Sequence, residues 1–208
     1  MLKWILWLCL AAWLGAEMRA DPSSAAAAAA PAGLAFDPVE HWEADFESGI
    51  LWRVTGSATP LSYVLQPQIL SLKAPALIVR PLGGGDFVLR SRYSVLIEPI
   101  VVGPEHHYFG LSASGSLEWW DRKRTRNLFF SSGGGLGEMD SKGHEIAGAQ
   151  GEDFNFNWFA YAGARFRTAE NWSVSLGAYF QHISNGHLNK IDPGVTSLGP
   201  MLSVGWHF

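Results

Sequence analysis

From His41 to its last residue the chain alternates apolar with polar positions, and a period of two marks strands with two unlike faces. The clearest run starts at Trp172. Trp172, Val174, Leu176, Ala178 and Phe180 form one row, with Ser173, Ser175, Gly177, Tyr179 and Gln181 opposite. His182 and Ser184 continue the apolar row, so a base and a hydroxyl stand side by side on the greasy face at the end of a strand.

Seven further segments share this pattern, which predicts strands over about 41–54, 61–73, 87–101, 107–120, 127–136, 153–167 and 196–208. The second contains Pro67, which has no N–H for a ladder, so its register is open; residues 74–82 either extend it or form a turn. A Gly-rich polar loop is expected over 137–151. Many rows opposite the apolar ones carry charge: Glu43, Asp45, Glu47, Arg53, Arg90, Arg92, Glu98, Glu118, Arg165 and Arg167.

The fold class is therefore all-β, with two arrangements to weigh. In a secreted sandwich or lipocalin the charged rows face water and the apolar rows meet inside. In a membrane barrel the apolar rows face lipid and the polar rows fill the interior. The apolar rows span ten residues or more, the length a tilted membrane strand needs. Trp52, Trp119, Trp120, Trp158, Trp172 and Trp206 are candidates for an interfacial girdle, and the final strand ends on Trp206 and Phe208. The expected architecture is an eight-stranded antiparallel transmembrane β-barrel with a filled polar interior, not a porin channel.

Composition agrees. Ten Trp, 12 Phe and 23 Gly favour strands over helices. Residues 1–20 read as a signal peptide, with Lys3 ahead of a short apolar run; the cleavage site is open between Ala16 and Ala20. Residues 21–40 read as a flexible Ala/Pro-rich leader, and 41–208 as the barrel. The only cysteine, Cys9, lies in the signal segment, which leaves no disulfide or thiolate site in the mature chain. A net charge of −4 gives no case for nucleic acid. His106 and His107 have no third ligand in register, so no metal and no cofactor is expected.

The chemistry at the end of the seventh strand has two readings. Interfacial His and Ser at a loop edge is one. The other is nucleophilic acyl chemistry, in which the His182 imidazole takes the Ser184 proton and the alkoxide attacks an ester. Oxyanion donors would come from Asn185 and the Gly186 turn. With both termini on the periplasmic side, this pair falls at the outer end of its strand, facing the outer leaflet.

The stretch His182-Ile183-Ser184-Asn185-Gly186, followed by Asp192-Pro193-Gly194-Val195-Thr196, resembles the C-terminal signature of PagL-type lipid A 3-O-deacylases, a family that includes acyloxyacyl hydrolase-like barrels. Phe154-Asn155-Phe156-Asn157, leading to Ala162-Gly163-Ala164-Arg165, resembles the strand before that site. The resemblance covers about residues 41–208 and is specific over 155–198. It implies an outer-membrane ester hydrolase with Ser184 as nucleophile, His182 as base and Asn185 in the oxyanion hole. The implied substrate is the ester-linked 3-hydroxyacyl chain of lipid A in lipopolysaccharide. The implied partners are outer-membrane lipids and the barrel-assembly machinery, and a homodimer is compatible with it. One position departs: where the family carries a glutamate that orients the histidine, this chain has Thr196. Asp192 and Glu152 are candidate substitutes, although a turn role for the first and a solvated loop charge for the second are the plainer readings. The alternatives are a non-catalytic barrel with a degenerate triad and an esterase acting on another membrane lipid.

Overall fold

The computed structural model describes residues 36–54, 58–142 and 146–208. The expected signal peptide and most of the leader lie outside the described residues. Within them, eleven strand segments build eight barrel strands. β1 (Glu43–Gly49) and β2 (Leu51–Arg53) are one strand interrupted at Ile50. β3 (Val64–Leu65) and β4 (Gln68–Lys73) are the second, broken beside Pro67 as a residue without an N–H would break it. β5 (Ile78–Leu82) runs on in the same direction and pairs with the start of β6 (Gly85–Val102), so residues 74–82 extend the second strand. β7 (His107–Asp121), β8 (Arg126–Met139), β9 (Phe154–Arg167), β10 (Trp172–Ser184) and β11 (Val195–His207) complete the wall. All pairings are antiparallel, and β1 closes on β11 with Glu43 opposite His207. This is the expected eight-stranded barrel.

The rows divide as a membrane barrel requires. Phe46, Leu70, Tyr93, Leu111, Phe130, Leu176 and Leu202 point outward and are exposed, whereas Glu43, Arg90, Glu118 and Arg165 are fully or almost fully buried inside. The interior has two layers. Nearer the termini is an ion network: Glu43 receives Arg90 at 2.9 Å and Arg165 at 2.9 Å, Lys73 reaches Asp45 at 2.8 Å, and Arg92 reaches Glu47 at 2.9 Å. Nearer the opposite end is an aromatic layer. Phe159 stacks on Tyr179 with centroids 5.3 Å apart, Tyr161 meets Phe129 edge-on at 4.8 Å, and Asn157 donates to the Tyr108 hydroxyl at 2.7 Å. Leu51, Ile183 and Met201 pack with these rings. Side chains therefore fill the lumen.

Three sequence expectations shift. The glycine run does not end the fifth strand: β8 continues to Met139, paired on both sides with β7 and β9, and Gly137 makes room for the Tyr108 ring, whose hydroxyl oxygen would lie 2.6 Å from a Cβ there. Residues 36–40, assigned to the leader, form part of the barrel base. The Asp37 side chain accepts from the Val39 amide at the start of a 3-10 turn (Pro38–Glu40), and buried Val39 packs with Val88 and Trp120. Trp120 is accordingly not a girdle residue. It is fully buried and donates from Nε1 to Glu118 Oε2 at 2.7 Å. Adjacent strand residues face opposite ways, so Trp119 and Trp120 cannot both meet lipid. Trp52, Trp158, Trp172 and Trp206 do point outward.

Candidate active site

His182 and Ser184 lie at the end of β10 farthest from the paired termini, on the outward row and half-buried. The strand register sets their neighbours: His182 stands between Thr196 on β11 and Trp158 on β9, and Ser184 is opposite Phe156. The imidazole Nδ1 is 2.8 Å from Thr196 Oγ1. Thr196 thus points outward beside His182, as its place on the even row of the last strand leads one to expect, and its hydroxyl engages one ring nitrogen and not Nε2. No hydrogen bond joins Ser184 to His182 among the described residues. Residues at i and i+2 of one row are about 6.6 Å apart at Cα, a span that side-chain rotation bridges, and unliganded sites often hold such contacts open.

The ring rests against Gly194. Its φ is +64°, and a Cβ there would come 2.8 Å from His182 Cε1 and 3.3 Å from Nε2. The backbone at Gly194 therefore needs glycine twice over, for conformation and for space. Gly194→Ala is expected to push the imidazole aside and lower turnover by roughly 10²-fold, the scale of an ångström of misplacement, with the barrel still folded. Unchanged kinetics in an ester-hydrolysis assay would refute this.

Asn185 lies on the opposite, inward row and is fully buried. Its Nδ2 donates to Ile191 O at 2.8 Å, and its backbone N–H donates to Asp192 Oδ1 at 2.9 Å. The other Asp192 oxygen accepts the His187 N–H at 2.8 Å and lies 3.0 Å from His187 Nδ1. Gly186 and His187 both have positive φ, 64° and 66°, so the chain reverses tightly beside the serine. Asp192 is thus a loop organiser with both oxygens engaged. Glu152 pairs with Lys142 and accepts the Asp153 amide, which holds its carboxyl below the ordinary range and leaves it out of the site. His106 and His107 gather on Asp140, where both backbone N–H groups reach Oδ1 at 2.8 and 3.1 Å.

An aromatic wall borders the pair. Trp158 meets Phe180 at 4.9 Å and His182 at 6.2 Å between centroids, and Phe156 meets Phe154 at 5.3 Å. The outward rows contain these residues in sequence, but their meeting around His182 follows from the register of β9 on β10, which alternation alone does not specify. Gly194 is likewise absent from the sequence reading as a site residue; a glycine between Pro193 and Val195 reads as a turn.

A hydroxyl and an imidazole on the lipid-facing wall of a closed, filled barrel define the class: a membrane-embedded barrel with candidate hydrolytic groups at one rim. The lipid A 3-O-deacylase (PagL) family model matches residues 83–205, more than half of the chain, and the chain belongs to that family. It is a lipid A 3-O-deacylase-like enzyme of the outer membrane. Its fold is similar to that of the outer-membrane enzyme PagL, with a TM-score of 0.52 and 17% identity over 77% of this chain and 97% of that one. A second solved structure, the attachment invasion locus protein Ail of Yersinia pestis, aligns with a TM-score of 0.46 and 12% identity, over 81% of this chain and 99% of that one. No curated protein matches the sequence.

Proposed function

We propose that the chain is a serine esterase that removes the ester-linked 3-hydroxyacyl chain from lipid A, with Ser184 as nucleophile and His182 as general base. The observation that carries this is the contact of His182 Nδ1 with Thr196 Oγ1 at 2.8 Å, on the same outward row as Ser184. The Ser184 Oγ attacks the acyl carbonyl while His182 Nε2 takes its proton. The Gly186 N–H is the proposed donor to the oxyanion, and not the Asn185 side chain expected from the sequence, which is buried on the inward row and gives its amide to Ile191 O. Collapse expels the sugar alkoxide, which takes the proton back from the imidazolium. Water, deprotonated by the same imidazole, then cleaves the acyl-serine and releases a 3-hydroxy fatty acid. The outward direction of the pair supports a substrate that stays in its leaflet, and the aromatic wall beside it suits acyl chains.

Covalent labelling tests the nucleophile. A fluorophosphonate probe is expected to modify Ser184 in the membrane-embedded protein, as read by peptide mass spectrometry, and His182→Ala is expected to suppress the labelling. Labelling elsewhere, or none, contradicts the assignment.

Thr196 favours a second reading, a barrel that has lost its acid. A threonine orients an imidazole but cannot stabilise an imidazolium by charge, and loss of that charge in a triad lowers turnover by roughly 10⁴-fold. On the esterase reading, Thr196→Glu is expected to raise a low wild-type rate by roughly 10²-fold or more, while Thr196→Val lowers it further. Activity absent from both wild type and Thr196→Glu would favour the second reading.

A further inference from the structure

The turn between β7 and β8 is Asp121-Arg122-Lys123-Arg124-Thr125-Arg126, at the end of the barrel that holds the paired termini. Its four cations divide by direction. Arg124 is buried at the base and is neutralised by Asp37 at 3.2 Å and Asp86 at 2.8 Å. Arg122, Lys123 and Arg126 are exposed. The one carboxylate of the turn, Asp121, is occupied in shaping it: its oxygens accept the Thr125 N–H at 2.8 Å, the Thr125 hydroxyl at 2.7 Å and the Arg126 N–H at 3.3 Å. Neither Arg122 nor Lys123 has an ion-pair partner among the described residues. Three exposed cations thus stand against one carboxylate.

Arg126 begins the outward row that continues as Leu128 and Phe130, and it pairs directly with Phe166, which is also outward and exposed. A cavity of about 770 Å³ opens here, lined by Arg122, Lys123, Arg126, Phe166 and Arg167, with Asp121 and Thr125 of the turn also in its wall. It straddles the inner edge of the apolar belt, with guanidinium and ammonium groups at one side and a phenyl ring at the other. Guanidinium forks match phosphate oxygens, and long cationic side chains at a membrane edge lay their stems on the apolar surface with the charge in the headgroup layer.

We propose that this turn is a binding site for the headgroup of an anionic glycerophospholipid in the periplasmic leaflet, with the phosphodiester on Arg122, Lys123 and Arg126 and an acyl chain against Phe166. The excess positive charge selects a net-negative headgroup over a zwitterionic one. The site is at the opposite end of the barrel from Ser184 and does not depend on the chemistry proposed there.

Native mass spectrometry of the full barrel, released from micelles doped with phosphatidylglycerol or phosphatidylethanolamine, tests this. Phosphatidylglycerol is expected to be retained preferentially. Each of Arg122→Gln, Lys123→Gln and Arg126→Gln should weaken its retention roughly fivefold, with the triple variant losing the preference. Phe166→Ser should weaken retention of both lipids while leaving the preference for phosphatidylglycerol in place. Circular dichroism checks the fold, and single Lys123→Gln, at an exposed position, serves if the triple variant does not assemble. Equal retention of the two lipids by the wild type, or a preference unchanged in the variants, overturns the proposal. Complete displacement of phosphatidylglycerol by millimolar inorganic phosphate also overturns it, because the site would then take the anion without the lipid.

Discussion

His182→Ala is expected to lower ester hydrolysis by roughly 10⁴- to 10⁶-fold while leaving the barrel folded. The size follows from what the imidazole does. A serine hydroxyl is a weak nucleophile at its ordinary pKa, and without a base both acylation and deacylation lose their proton acceptor. The harmlessness to the fold follows from position. His182 is half-buried on the outward row, beyond the ion network and the aromatic layer, and its side chain hydrogen-bonds Thr196. Parallel measurements of turnover and thermal unfolding separate the effects. A folded variant that keeps its activity contradicts the assignment of the base, and one that fails to fold contradicts the claim that the barrel is spared.

Glu43→Ala is expected to have the largest effect on stability, roughly 3–5 kcal/mol, with no residue of the site altered. Glu43 is fully buried and meets Arg90, Arg165 and Lys73 at 2.9, 2.9 and 3.5 Å. Removing it leaves three cations in a closed interior, where water does not replace the lost carboxylate. Glu118 and Asp45 remain nearby, at 3.6 and 3.7 Å from the Arg165 guanidinium, and share part of that charge. Denaturant unfolding in detergent micelles or lipid vesicles reads the change. A loss below about 1 kcal/mol, the range of exposed pairs, would mean that the interior is hydrated and the network weak.

The strands and the direction of their faces were legible because a period of two is written directly into the residues. The parity found for Trp172 to Phe180 carries to His182, Ser184 and, across the ladder, Thr196, all three of which point outward. The same parity argues against counting Trp119 and Trp120 together in a girdle; two adjacent tryptophans invite it, and alternation forbids it. What the residues do not state is register. The meeting of Trp158 with His182, and of Phe156 with Ser184, depends on how β9 and β10 slide past each other, which is fixed by inward packing such as Tyr161 on Tyr179. The ordered base at residues 36–40 was hidden for another reason. Its contact is a single turn capped by Asp37, too short to show a period and preceded by an Ala-rich tract that reads as a leader. Asp192 illustrates a third limit: a carboxylate six residues after the key turn could orient a histidine or tie a loop, and only its hydrogen bonds to Asn185 and His187 distinguish the two.

The most direct test of the central claim is mass spectrometry of the fatty acids set free when the membrane-embedded protein is incubated with lipopolysaccharide. The account predicts release of a 3-hydroxy fatty acid from lipid A by the wild type and none by Ser184→Ala. No release by the wild type or by Thr196→Glu, or equal release from Ser184→Ala, would contradict it.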